Sequence, residues 1–174
     1  ADGVDILPEF CRLARRRNPG ARIFRADMTA LALPRRYDAV VCLFSSIGYV
    51  RTEARLRRAV ASMAGALAPQ GVLVVEPWFT PARWKPGTVS ALLVDEPRLK
   101  VARLTASKSV AGESVLEMHY LVATGEGVRH LREVHRLGLF TSAQMRGAFR
   151  AAGLQVSYER EGLTGRGLYI GWRR

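Results

Sequence analysis

Apolar and polar positions along this chain follow two different periods, and the change of period divides the sequence. In the first part, short apolar runs alternate with helical patterns. Gly3-Val4-Asp5 reads as the end of a strand. Pro8 opens a helix through Arg17, and Asn18-Pro19-Gly20 stops it. Ala21 to Ala26 is a short strand that ends at Asp27. Tyr37 to Phe44 (YDAVVCLF) is a continuous apolar run, which predicts a strand buried on both faces. Thr52 caps a helix that carries Leu56, Val60, Met63 and Leu67 at helical spacing. Pro69-Gln70-Gly71 then turns into Val72-Leu73-Val74-Val75, a second fully buried strand. Strands alternating with helices in this way predict a parallel α/β sheet.

From Val89 the period becomes two. The runs Val89–Val94, Leu99–Ser109, Ser114–Ala123 and Val128–Phe140 read as antiparallel strands. Glu96-Pro97, Ala111-Gly112 and Gly125-Glu126-Gly127 supply the turns between them. Thr141 followed by Gln144 is a capping-box signature for a helix that stops at Gly153. Leu154–Glu159 and Gly167–Trp172 close the chain as an antiparallel pair. The division expected is a core over residues 1–87, an antiparallel β cover over 88–140, and a return to the core over 141–174.

With 174 residues and 48% hydrophobic content, the chain suits one domain with a real core. No run approaches the roughly 20 apolar residues of a membrane span. The opening residues lack the pattern of a secretory leader, so a cytoplasmic protein is expected. Cys11 and Cys42 have no metal-type spacing and read as reduced, buried thiols; no metal site is expected. The formal charge is +12, and the lysines are Lys85, Lys100 and Lys108, so the rest of the excess is arginine. The arginines are scattered along helical segments, with no aromatic interleaving of the single-strand-binding kind. The charge favours an anionic ligand without naming one. A basic nucleic-acid-binding module is the rival from another class, and it would bind with a steep salt dependence.

In open α/β sheets, ligands sit beyond the carboxyl ends of the strands. Asp5 ends the first strand, where an acid can accept hydrogen bonds from both ribose hydroxyls of a nucleoside. Asp27 ends the second strand, where an acid and the neighbouring Met28 can meet an adenine. Phe44-Ser45-Ser46-Ile47-Gly48-Tyr49 follows the third. Each has a plainer alternative: Asp5 as a helix cap, Asp27 as a turn cap before Thr29, and Ser45 and Ser46 as partners of backbone groups.

Gly3-Val4-Asp5, Ala26-Asp27-Met28 and Tyr37-Asp38-Ala39-Val40-Val41 together resemble the motifs that follow the glycine loop in class I S-adenosylmethionine (SAM) methyltransferases. Phe44 to Tyr49, Val74-Val75-Glu76-Pro77-Trp78-Phe79, Gly127-Val128-Arg129-His130, Val134-His135 and Thr164 to Gly171 are similar to the sugar N,N-dimethyltransferases of macrolide biosynthesis. Those act on the amine of dTDP-linked 3-amino deoxyhexoses. The resemblance implies a Rossmann-like α/β sheet, mostly parallel with an antiparallel last strand, beneath the β-rich insertion. It implies SAM as cofactor, a nucleotide-sugar substrate, no nucleic-acid or membrane partner, and a homodimer.

The resemblance also implies roles. Asp5, Asp27, Met28, Phe44 and Ser45 fall to the cofactor. Ser46, Tyr49, Trp78 and Arg166 fall to the substrate, the last because a guanidinium fork suits a diphosphate. His119 falls where the family places an active-site histidine near the amine. On its strand His119 shares a face with Val115, Glu117 and Leu121, which leaves Leu116, Met118, Tyr120 and Val122 for the core. His130 lies with Arg132, and His135 with Leu131, Leu137 and Leu139, which makes His135 a packed structural histidine. The surface alternative for His119 is a pair with Glu117, and Trp78 and Trp84 are equally pocket walls or core. The family's first strand and glycine-rich loop, which cradles the methionine part of SAM, match no segment here and would lie before residue 1. The expectation is a fragment, a truncated product or a start supplied by a second chain, with weak SAM affinity and an exposed central sheet edge. Another small amine or hydroxyl remains open as the acceptor.

Overall fold

The computed structural model describes residues 1–173, so the last residue of the expected third segment lies outside it. In chain order the elements are β1 (Asp2–Asp5), α1 (Pro8–Arg17), β2 (Arg22–Arg25), β3 (Tyr37–Cys42), a 3-10 turn (Ser46–Val50) and α2 (Glu53–Gly65). There follow β4 (Leu67–Val75), β5 (Val89–Glu96), β6 (Leu99–Val110), β7 (Glu113–Thr124), β8 (Gly127–Gly138), α3 (Ser142–Ala151), β9 (Gln155–Glu159) and β10 (Leu168–Trp172).

The α/β architecture stands, but its parallel part comes in two pieces. β1 pairs with β2 in parallel. β3 and β4 form a second parallel pair, extended by β10 and β9 in antiparallel order. β3 is therefore an edge strand with one hydrogen-bonded neighbour. The apolar run at Tyr37–Phe44 predicts burial on both faces; instead Val41 is 59% exposed and only Cys42 in β3 is buried. Tyr37 ties the two pieces at one end, its phenol donating to Asp2 at 2.8 Å. Asp2 also receives a two-pronged bond from Arg22 at 3.1 and 2.7 Å. These donors, Arg22 foremost, hold the Asp2 carboxyl far below its ordinary range.

Local chemistry explains the helices. The Thr52 hydroxyl accepts from the Arg55 amide at the start of α2. Thr141 and Gln144 form the full capping box of α3. α2 ends at Gly65, earlier than the spacing suggests, and Leu67 is the buried first residue of β4. The strand absorbs Pro69-Gln70-Gly71 as an irregularity: its register with β3 jumps from Tyr37↔Leu67 to Ala39↔Val72. Gln70 adopts φ 64°, and a Cβ on Gly71 would meet the Tyr37 carbonyl at 2.9 Å. The core packs Leu56, Val60 and Met63 of α2 and Met145 and Phe149 of α3 with Leu73, Val75 and Tyr169 of the sheet. Each such burial contributes about 1.5–3 kcal/mol.

β5 to β8 form one antiparallel meander, with every strand within three residues of its sequence-based bounds. One face turns to the body of the protein and the other to solvent. Ser114 pins its two stems. Its buried hydroxyl accepts from the indole of Trp78 at 2.8 Å and donates to the carbonyl of Leu137 at 3.1 Å.

Candidate functional site

The first part of the site is the paired end of β1 and β2. The Ala26 amide donates to the Asp5 carbonyl at 3.0 Å, so Asp5 and Asp27 stand on adjacent strand ends. Asp5 uses Oδ1 to accept from the Leu7 amide at 2.8 Å, which braces the approach to α1. Asp27 is more committed. Oδ1 accepts from the Thr29 amide at 2.8 Å and Oδ2 from Arg55 at 3.1 Å. The Thr29 backbone donor first, and the Arg55 charge after it, keep this carboxyl below its ordinary value. The turn-capping alternative for Asp27 is therefore realised in the fold. Met28 packs against the core cluster from its margin.

The second part is the exit from β3. Phe44 and Ser45 both take left-handed backbone angles, φ 51° and 60°. This turn leaves the Phe44 ring 74% exposed. Ser45 takes up the plainer alternative of a hydroxyl that partners a backbone group. It is buried, and its hydroxyl donates to the Pro77 carbonyl at 2.7 Å. Ser46 starts the 3-10 turn, and Tyr49 reaches out from that turn. Beneath them lies Glu76, fully buried, which the sequence motif contains but which chemistry alone does not single out. Its carboxylate accepts from the Phe44 amide at 2.6 Å and from the Thr164 hydroxyl, and lies 3.8 Å from Arg166. Glu76 thus joins three loops on which site residues stand. Cys42, next to this turn, has its thiol pushed up to about 11 by burial, so it is inert.

The third part is a hollow of about 590 Å³ between the loop after β4 and the inward face of the meander. Trp78, Arg83, Trp84, Lys85, Thr105 and Ser107 line it. The Arg166 guanidinium lies over the Trp78 ring at 5.5 Å, and its buried Nε has no hydrogen-bond partner. Arg83 donates to the Gly165 carbonyl at 3.2 Å, which places a second cation beside the Arg166 loop. Arg83 and Lys85 join the candidate residues through their place in this hollow. They are basic residues interleaved with Trp84 at the exit of a buried strand.

The structure does not bring His119 to this site. In the β7 register, Ser114 contacts Trp78, and Ser109 of β6 contacts Trp84. Both lie on the inward face, as does His135. His119 lies on the other face, stacked on His130 with a nitrogen-to-nitrogen distance of 2.9 Å, and bonded to Glu117 at 3.3 Å. Alternation along the strand grouped these side chains correctly but assigned the wrong face to the cleft. His135 is correspondingly not a mere packing residue: its Nδ1 lies 2.7 Å from the phenol oxygen of Tyr49.

Residues 1–71 match the family described as a methyltransferase domain. The chain is 42% identical, over 97% of its length, to the dTDP-3-amino-3,4,6-trideoxy-alpha-D-glucopyranose N,N-dimethyltransferase of Streptomyces venezuelae, and covers 72% of that protein. The chain belongs to the sugar N,N-dimethyltransferase family. A second member, the dTDP-3-amino-3,6-dideoxy-alpha-D-glucopyranose N,N-dimethyltransferase of Streptomyces fradiae, is 41% identical over 98% of the chain and 67% of its own length. Among solved structures, Streptomyces venezuelae DesVI superposes with a TM-score of 0.96 at 41% identity, covering 99% of this chain and 74% of that one. The SAM-bound amino pentose methyltransferase CalS10 of Micromonospora echinaspora superposes at 0.90 with 39% identity, over 99% of this chain and 73% of its own. This family member is accordingly a SAM-dependent N-methyltransferase with the class I α/β fold. Among the described residues, no helix is long and apolar enough to cross a membrane.

Proposed function

We propose that this chain methylates the amine of a dTDP-linked amino deoxysugar. The identity of 42% to an enzyme named for such a substrate carries the proposal. The arrangement of the site supports it. Asp5 and Asp27, on adjacent strand ends, suit the nucleoside end of SAM, with Asp5 accepting from the ribose hydroxyls and Asp27 and Met28 beside the adenine. The Phe44 ring, 74% exposed at the exit of β3, is free to stack on a bound nucleoside. SAM supplies a methyl group on a positively charged sulfur, which leaves as a neutral thioether when the amine attacks.

The chain's own residues then position the acceptor. Trp78 and Trp84 wall the hollow in which a sugar or base ring can stack. The diphosphate falls to the Arg166 guanidinium, which lies over the Trp78 ring, and the acceptor to Ser46 and Tyr49 of the 3-10 turn. The test is an acceptor panel with labelled SAM. Transfer to dTDP-amino sugars is expected. Transfer to free amines alone, with the nucleotide sugars left untouched, overturns the reading.

A second copy of the chain is the partner we infer for the solvent face of the meander. Its cross-strand rows are Val89, Ala106, Glu117, Val134; then Ala91, Leu104, His119, Arg132; then Leu93, Ala102, Leu121, His130. Leu93 is 76% and Val128 69% exposed there. At strand spacings of about 4.8 Å and rises of about 3.4 Å, this face covers roughly 500–700 Å². That approaches the roughly 800 Å² per partner of a stable interface. Acids and bases both lie among the apolar residues, so the face can complement itself. Sedimentation should give a dimer that Leu104→Glu dissociates; a monomer with the native sequence overturns this.

A further inference from the structure

A continuous line of hydrogen bonds runs from the loop after β3 along the face of the meander that turns to the body of the protein. Tyr49 stands at its outer end, about half exposed. Its phenol oxygen meets His135 Nδ1 at 2.7 Å. The other ring nitrogen of His135 lies 3.3 Å from Oε2 of Glu133. The same oxygen accepts from the Tyr120 hydroxyl at 3.0 Å.

The network dictates where the protons are. A carboxylate only accepts, so Nε2 of a neutral His135 carries the hydrogen and donates to Glu133. Nδ1 is left as an acceptor, and the Tyr49 hydroxyl donates to it. This is the arrangement of a base held in one tautomer by a third group. Burial first, and the charge of Glu133 second, push the Tyr49 phenol up from its ordinary value. It stays protonated at neutral pH, as a group that both takes and gives a proton requires. The other titratable or charged groups facing the line are Tyr120 and, beside it, Arg103 of β6.

We propose that Tyr49 and His135 are the proton-accepting pair of the methyl transfer, with Glu133 as the residue that positions them. The proposal rests on the amine-acceptor reading above. An aliphatic amine arrives mostly as ammonium, and only its neutral form attacks. With the ammonium at Tyr49, one N–H bond breaks and its proton joins the phenol oxygen. The phenol's own O–H bond breaks in the same movement, and that proton joins Nδ1. The amine is left neutral with its lone pair, the phenol is regenerated, and the imidazolium sits beside the Glu133 carboxylate. Charge and atoms balance with no further reactant.

The test uses His135→Gln, Tyr49→Phe and Glu133→Gln in the same protein, with near-UV circular dichroism to confirm folding. His135→Gln should lower kcat by about 100-fold or more, and the acidic limb of the kcat–pH profile should vanish. Glu133→Gln should shift that limb to lower pH, because the imidazolium loses its counter-charge, while KM stays within twofold. A purely structural role would not move the limb. Independently of turnover, nitrogen NMR of histidine-labelled protein should show His135 Nδ1 unprotonated, and Tyr49→Phe should shift its resonance. A protonated Nδ1 in neutral His135 overturns the proposal, as does a folded His135→Gln enzyme with native rate and pH profile. If the protein methylates some other amine and these effects persist, the sugar reading fails while the relay stands.

Discussion

Glu76 Oε2 accepts the amide of Phe44 at 2.6 Å, although 32 positions separate them in sequence. With the Thr164 hydroxyl and Arg166 on its other oxygen, this buried carboxylate fastens the exits of β3 and β4 to the loop before β10. Removing it leaves the Phe44 amide without its acceptor and the Arg166 cation without its counter-charge. Glu76→Ala is expected to lose about 3–5 kcal/mol in urea unfolding. Glu76→Gln, which keeps one acceptor oxygen, should lose less. An unchanged denaturation midpoint for the alanine variant would remove Glu76 from the framework of the site.

The two strand-end acids should separate by readout. Asp5→Asn is expected to weaken SAM binding by about 10- to 100-fold, the worth of hydrogen bonds to a charged acceptor, with the unfolding midpoint unchanged. Asp27→Asn should weaken binding and also destabilise, because Arg55 loses its carboxylate partner while Thr29 can keep an amide oxygen. Calorimetric titration with SAM, paired with urea melts, checks both.

Arg166→Ala should raise KM for the nucleotide sugar about tenfold while leaving SAM affinity alone. Arg166→Lys should not restore it, since an ammonium lacks the planar fork that meets a diphosphate. Equal losses for SAM and sugar would show that Arg166 acts through Glu76 alone.

Acid should loosen the attachment of the meander. Glu113 of β7 accepts from Arg51 at 2.7 Å and from Arg136 at 2.9 Å. The Arg51 bond foremost holds this carboxyl below its ordinary value. A depressed folded value means stability that is fully present above the unfolded pKa of roughly 4.3 and lost as pH falls through the folded one. Thermal unfolding between pH 6 and 3 should therefore fall more steeply for the native protein than for Glu113→Gln. Parallel curves would count against the contribution of this pair.

Most of the framework was legible because it is local. Pro8, Thr52 and the Thr141–Gln144 box marked helix starts, and alternation marked the four meander strands. The apolar run did not foretell that Val41 of β3 is left 59% exposed, because such a run reports a strand's composition, not what packs on each of its faces. Leu67 was misplaced because helical spacing carries past Gly65, where the chain turns back. The placement of Asp5 and Asp27 was legible, because their strands pair in register. That of His119 and His135 was not. Periodicity divides a strand into two faces, but only the contacts of Trp78 with Ser114 and Tyr49 with His135 say which face looks inward.

Ser114 holds the outgoing Trp78 segment and the returning β8 strand on one hydroxyl, so the two stems of the meander meet at one neck. Beyond that neck, hairpin tips can lengthen, shorten or change charge without touching the strand ends that carry Asp5 and Asp27. On the proposed reading, substitutions at the hairpin tips should change acceptor preference while leaving SAM affinity unaltered.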